Sequence, residues 1–152
     1  MQQRPLEHAI LRVLLGEDDV LPQLPQLAAK LVADDTAYPA LVALAGLSAR
    51  APAWELRAAA DNLRRELQLP GIDDSAEREK LVAYIAKNVI SDPVSVREYS
   101  ATLRAIASRY YDDPIMNRVQ ALVGLASSWD EPWTDELPSL MSEAAREFLD
   151  AQ

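Results

Sequence analysis

The chain has 152 residues and a formal net charge of −9, from 24 acidic and 15 basic side chains. It contains no Cys and a single His, which excludes zinc fingers, iron–sulfur clusters, haem–thiolate sites and thiol nucleophiles. The negative charge argues against a partner of duplex nucleic acid, whose binding proteins gain affinity by neutralising phosphates with Lys and Arg.

A chain of this length predicts a single domain over residues 1–152. The apolar stretch Ala9–Leu15 is broken by Arg12 and runs into Glu17-Asp18-Asp19, so it does not read as a leader. The longest apolar run, Pro39–Leu47, is far short of the roughly 20 residues that a membrane span requires. Together with the absence of Cys, these features predict a soluble cytoplasmic protein with no membrane partner. Arg outnumbers Lys by 12 to three, and with abundant Ala and Leu this composition fits a GC-rich bacterial source.

Helical periodicity runs through the whole chain. Leu6, Ile10, Val13 and Leu14 open it, and Leu21, Leu24, Ala28 and Leu31 form the next stripe. Leu56, Ala60, Leu63 and Leu67 follow. Val96, Tyr99, Leu103, Ile106 and Tyr110 keep a three–four spacing, as do Ile115, Val119, Leu122, Val123 and Ala126. Leu137, Leu140, Met141, Ala144 and Phe148 close the series. No segment alternates with period two among β-branched residues, so no sheet is expected. Capping signals agree. Asp92-Pro93 and Asp113-Pro114 place a carboxylate before a first-turn proline, Asp74 or Ser75 followed by Glu77 and Glu79 resembles a capping box, and Gly16 and Gly71 stand at expected helix ends. The prediction is all-α, with helices over 5–15, 20–33, 36–49, 52–69, 75–91, 93–111, 114–128 and 135–150. Abundant Ala lets the axes approach closely, leaving Trp54, Tyr84, Tyr99 and Phe148 to fill the gaps between helices.

Aligning the acidic doublets Asp34-Asp35, Asp73-Asp74 and Asp112-Asp113 yields a spacing of 39 residues. Similar apolar blocks begin after them at Leu41, Leu81 and Leu122. This spacing predicts antiparallel helical hairpins over 5–33, 34–72, 73–111 and 112–150, arranged as a short HEAT-like array or as an irregular bundle.

Side chains able to carry chemistry are sparse. His8 is the lone imidazole and reads as a helix residue rather than a general base. The Asp doublets supply hard oxygens of the kind Mg²⁺ or Ca²⁺ takes, but they stand at helix boundaries, where carboxylates cap free N–H groups. No metal site and no cofactor are expected. Glu77, Arg78, Glu79 and Lys80 read as a solvated first turn. The P-loop, dinucleotide and nucleophile-elbow motifs are missing from the sequence. Arg57, Arg64 and Arg65 share a helix with Glu55, Asp61 and Glu66 and read as an ion-paired face.

The aromatics are more informative. Trp129, Asp130, Glu131, Pro132 and Trp133 place two indoles in a short acidic loop, and Tyr110-Tyr111 adjoins Asp112-Asp113. Neighbours on a helix diverge by about 100°, so Tyr110 turns inward and Tyr111 outward. A Trp in a loop is a lid over the core first, or else an anchor for a partner, because it brings large apolar area at low entropic cost; on the second reading the predicted partner-binding residues are Trp129, Trp133, Tyr111, Asp112, Asp113 and Glu131. The segment from Leu122, with Val123, Gly124, Leu125, Ala126, Ser127, Trp129, Ala144, Ala145 and Arg146, resembles the C-terminal part of small all-helical bacterial proteins of no assigned function. The stretch spans under a fifth of the chain, and the resemblance implies a helical fold and no particular chemistry.

The function expected is non-enzymatic: a protein–protein interaction module, with an acidic immunity-type inhibitor of a basic partner as its specific form. A carboxylate-based metal-binding protein or hydrolase is the alternative. A homo-oligomer joined through the Trp129–Trp133 loop is a third reading.

Overall fold

The computed structural model of the chain describes residues 3–34, 38–130 and 134–151. Among the described residues there are nine α-helices and no strands, so the fold is all-α. The helices are α1 (Gln3–Leu14), α2 (Leu24–Ala33), α3 (Pro39–Ala45), α4 (Ala53–Glu66), α5 (Ser75–Ser91), α6 (Val96–Arg109), α7 (Ile115–Arg118), α8 (Gln120–Ala126) and α9 (Leu137–Asp150). None of them is long and apolar enough to cross a membrane. Contacts divide the chain into two compact units, Met1–Gly71 and Ile72–Gln152.

In the first unit, α1 buries Leu6, Ala9, Ile10 and Leu11. It stops at Gly16, whose φ of 88° is reached cheaply only without a Cβ. The Gly16 and Glu17 N–H groups then donate to the Val13 and Arg12 carbonyls, both at 3.0 Å. The expected helix over 20–33 starts instead as a 3-10 segment, Asp18–Gln23, because Pro22 brings no N–H to an α-ladder. Pro25 is tolerated in the first turn of α2, where its missing N–H would have had no partner. The start of α3 is tied to the end of α4 by the Ala40 N–H, which donates to Glu66 Oε2 at 2.7 Å. Helix α4 buries Leu56, Ala60 and Leu63.

Beyond α4, Leu69 N–H donates to Arg64 O and Gln68 N–H to Arg65 O, closing the helix with Gln68 at φ 58°. A side-chain-bearing residue in this left-handed position is strained. Gln68→Gly is therefore expected to raise stability by about 0.5–1 kcal/mol, measured by urea unfolding. Gly71 was expected to end the helix but has another role. A Cβ there would lie 3.2 Å from Arg64 Nη1, so the glycine makes room for that guanidinium.

In the second unit, Asp74 caps α5 by accepting the Glu77 N–H at 2.8 Å. The helix expected over 93–111 begins as a 3-10 turn, Pro93–Ser95, and continues as α6. The helix expected over 114–128 is interrupted at Val119 (φ −111°, ψ 9°) and becomes α7 and α8. A 3-10 turn, Thr134–Glu136, leads into α9.

Both units are built on one frame. In the first, α1 packs on α2 and α4, α2 on α3, and α3 on α4. In the second, α5 packs on α6 and α9, α6 on α8, and α8 on α9. Each is thus a closed ring of four helices, a bundle arrangement. In an array, each hairpin would meet only its neighbours. Buried positions correspond. Leu6, Ile10, Leu24, Ala28 and Leu31 answer to Leu81, Ile85, Tyr99, Leu103 and Ile106 at an offset of 75 residues. Leu41, Leu56, Ala60 and Leu63 answer to Leu122, Leu137, Met141 and Ala144 at an offset of 81 residues. The second unit is longer between its second and third ring helices, where Asp112, Asp113 and α7 lie. The apolar blocks at Leu41 and Leu122 occupy equivalent helices, α3 and α8. The block at Leu81 lies on the first ring helix, α5, so the three do not share an environment.

Tyr99 and Phe148 are buried as core fillers. Trp54 is not: it is 70% exposed. It lies two residues before buried Leu56, which turns it about 200° away from the buried stripe of α4.

Candidate functional site

The start of α5 and the segment between α6 and α7 meet in one corner of the second unit. Ser75 Oγ donates to Asp113 Oδ1 at 3.1 Å, and Arg78 Nε donates to Asp113 Oδ2 at 2.7 Å. Arg78 Nη1 also donates to the Ile72 carbonyl at 2.9 Å. The Arg78 guanidinium stacks over the Tyr110 ring, 4.5 Å from its centroid. Asp113 Oδ1 further accepts the Ile115 N–H at 3.0 Å, capping the turn into α7 as the Asp113-Pro114 signature predicts. A residue 35 positions away in the chain therefore neutralises Asp113.

Burial of the Asp113 carboxylate favours its protonated form. The Ile115 N–H, the Arg78 guanidinium and the Ser75 hydroxyl outweigh that effect, and the carboxyl is held below its usual value of 3.8. Asp113 is only 8% exposed. It was expected to meet a partner; instead it braces the corner from within.

What the brace presents outward is different. Tyr111 is 73% exposed, and Asp112 beside it is exposed too. Asp73 and Asp74, just before Ser75, are also exposed, so the corner gathers both acidic doublets of this unit. Nearby, Arg118 Nη1 pairs with Glu79 Oε1 at 2.8 Å. Tyr110 is half-buried under Arg78 while Tyr111 faces out; both lie past the last residue of α6, so the stacking under Arg78 rather than helical phase sets them apart.

Trp129 lies elsewhere. Its ring sits 5.5 Å from Arg97 Cζ, at the start of α6, whereas Tyr111 follows the end of that helix. Fourteen residues of helix, about 21 Å, lie between these ends. Trp129 is half-buried, and its Nε1 is buried with no acceptor among the described residues. Glu131 and Trp133 lie outside the described residues. Among the described residues, no group of three His, Asp or Glu is placed to hold a metal ion.

Sequence reading missed Ser75 and Arg78. Arg78 was placed on a solvated turn with Glu77, Glu79 and Lys80, yet only 17% of its side chain is exposed. Its local pattern matches an ordinary first turn, and the partner that redirects it comes from a distant segment. Compared with known proteins, the chain matches no protein-family model, no curated protein and no solved structure.

Proposed function

We propose that this chain is a non-enzymatic protein–protein interaction module whose Tyr111 corner takes a basic partner, in the manner of an acidic inhibitor that covers a positively charged protein. The observation behind this reading is the exposed Tyr111 beside exposed Asp112, on a segment tied through Asp113 to Ser75 and Arg78, just after the exposed Asp73 and Asp74. A phenol ring accepts a Lys or Arg over its face, and adjacent carboxylates pair with the same cation. Anchoring on a braced segment lowers the ordering cost of association. Acidic surroundings steer a basic protein onto the surface and make association salt-dependent.

The test is affinity capture followed by titration calorimetry on the captured partner. The expected partner is basic and binds stoichiometrically. Tyr111→Ala is expected to weaken it by about 2 kcal/mol, roughly 30-fold, with no change in thermal midpoint. Asp112→Asn is expected to flatten the salt dependence. A captured partner bound equally well by both variants would remove the corner from the interface.

A further inference from the structure

Helices α6 and α8 leave an open groove on the surface of the second unit. Trp129, just past the end of α8, lies against Arg97 at the start of α6, so the two helices run antiparallel. The groove has a volume of about 430 Å³, with Ala101, Arg104, Ala105 and Ser108 of α6 on one side and Val123 and Ser127 of α8 on the other. None of the residues lining it is buried. All of their side chains are small except that of Arg104, so a further helix can approach both axes closely. On the α8 side, a Cβ added to Gly124 would meet nothing within 4 Å.

The walls select the form of an occupant. Both are helices, whose backbone N–H and C=O groups pair within themselves. An extended peptide would find no backbone partners here, as it does at a sheet edge, whereas a helix brings its own backbone bonds. The Ser127 hydroxyl is already spent on the Val123 carbonyl, at 3.0 Å.

The charge selects its chemistry. Arg78 and Arg118, elsewhere in this unit, are each bound to a carboxylate. Arg104 is exposed and is bound to none among the described residues. Arg97 is also exposed and stands two turns earlier on the same face of α6. Glu98 is turned about 100° from Arg97 round the helix and does not line the groove. No acidic side chain among the described residues lines it. In a chain of net charge −9, this groove is cationic.

We propose that the α6–α8 groove docks an acidic amphipathic helix of a partner protein, with small apolar side chains against Ala101, Ala105 and Val123 and carboxylates on Arg104 and Arg97. The planar fork of Arg104 takes a carboxylate through two parallel hydrogen bonds, and the Ser108 hydroxyl one turn on supplies a further donor. The groove holds no residue of the Tyr111 corner and selects the opposite charge, so either site can exist without the other.

The test uses the whole chain and three synthetic peptides of about 18 residues, long enough to form helix. All share an apolar face of Ala and Leu, and their polar faces carry Glu, Gln or Lys. Two-dimensional amide NMR follows where each binds and how tightly. The Glu peptide is expected to saturate, with shifts centred on Ala101, Arg104, Ala105, Val123 and Ser127, and to bind there about tenfold tighter than the Gln or Lys peptide. Arg104→Glu is expected to weaken the Glu peptide by about tenfold. Ala101→Leu, which fills the groove, is expected to abolish the shifts. Both positions are exposed, so both variants are expected to fold. No saturation by the Glu peptide, equal binding of the Lys peptide in the groove, or undiminished binding in either variant overturns the proposal. Shifts at the same residues on concentrating the chain alone would make a second copy the occupant and overturn it too.

Discussion

Asp113→Ala is expected to destabilise the unit Ile72–Gln152 by about 3 kcal/mol, a fall of roughly 12–24 °C in the thermal midpoint of a unit of this size. The reason is asymmetric. Arg78 has only 17% of its side chain exposed, and without Asp113 it keeps the desolvation cost while losing its counter-charge. The Ile115 N–H and Ser75 Oγ lose an acceptor in the same substitution. Asp113→Asn is expected to lose less, because an amide oxygen still caps Ile115. Combining Asp113→Ala with Arg78→Met removes both charges, and the double variant is expected to be more stable than the sum of the single losses predicts.

The same pair sets an acid dependence. The folded carboxyl of Asp113 lies below 3.8, so the unfolded chain takes up the proton more readily. Stability from this group is complete above about pH 4–5 and is lost as pH falls through the depressed folded value. Urea unfolding of wild type and Asp113→Asn between pH 2 and pH 6 checks the sign: the gap between them narrows towards acid. A gap that is constant across that range would mean the pair makes no net contribution.

Met141→Ala is the second large effect, expected at about 3 kcal/mol and measured by the urea midpoint. Met141 of α9 is fully buried, and its Sδ accepts from Ser100 Oγ of α6 at 3.2 Å. Truncation opens a cavity, and a close-packed ring of helices collapses onto it only in part.

Much of the fold was legible in the chain because it rests on local physics. Periodicity of apolar residues sets which face of a helix leaves water, and it located Leu6, Leu24, Leu56, Leu103 and Met141 in the core. The Asp74 and Asp113 caps and the Gly16 stop depend only on neighbours within a turn, and all three are present. Trp54 was misplaced because size argued for burial where helical phase placed it outside. The spacing between acidic doublets reflected similar helix ends. The frame actually shared by the two units appears only once the burial of each helix is known.

By itself, then, the sequence determined the helical class and most helix boundaries, since each follows from residues within a few positions of one another. The tertiary structure alone decided that Arg78 turns inward onto Asp113, that Asp73 and Asp74 share a corner with Tyr111, and that Trp129 stands at the other end of α6. Those outcomes depend on which distant segments the closing of each ring brings together, and no spacing within a single helix encodes that.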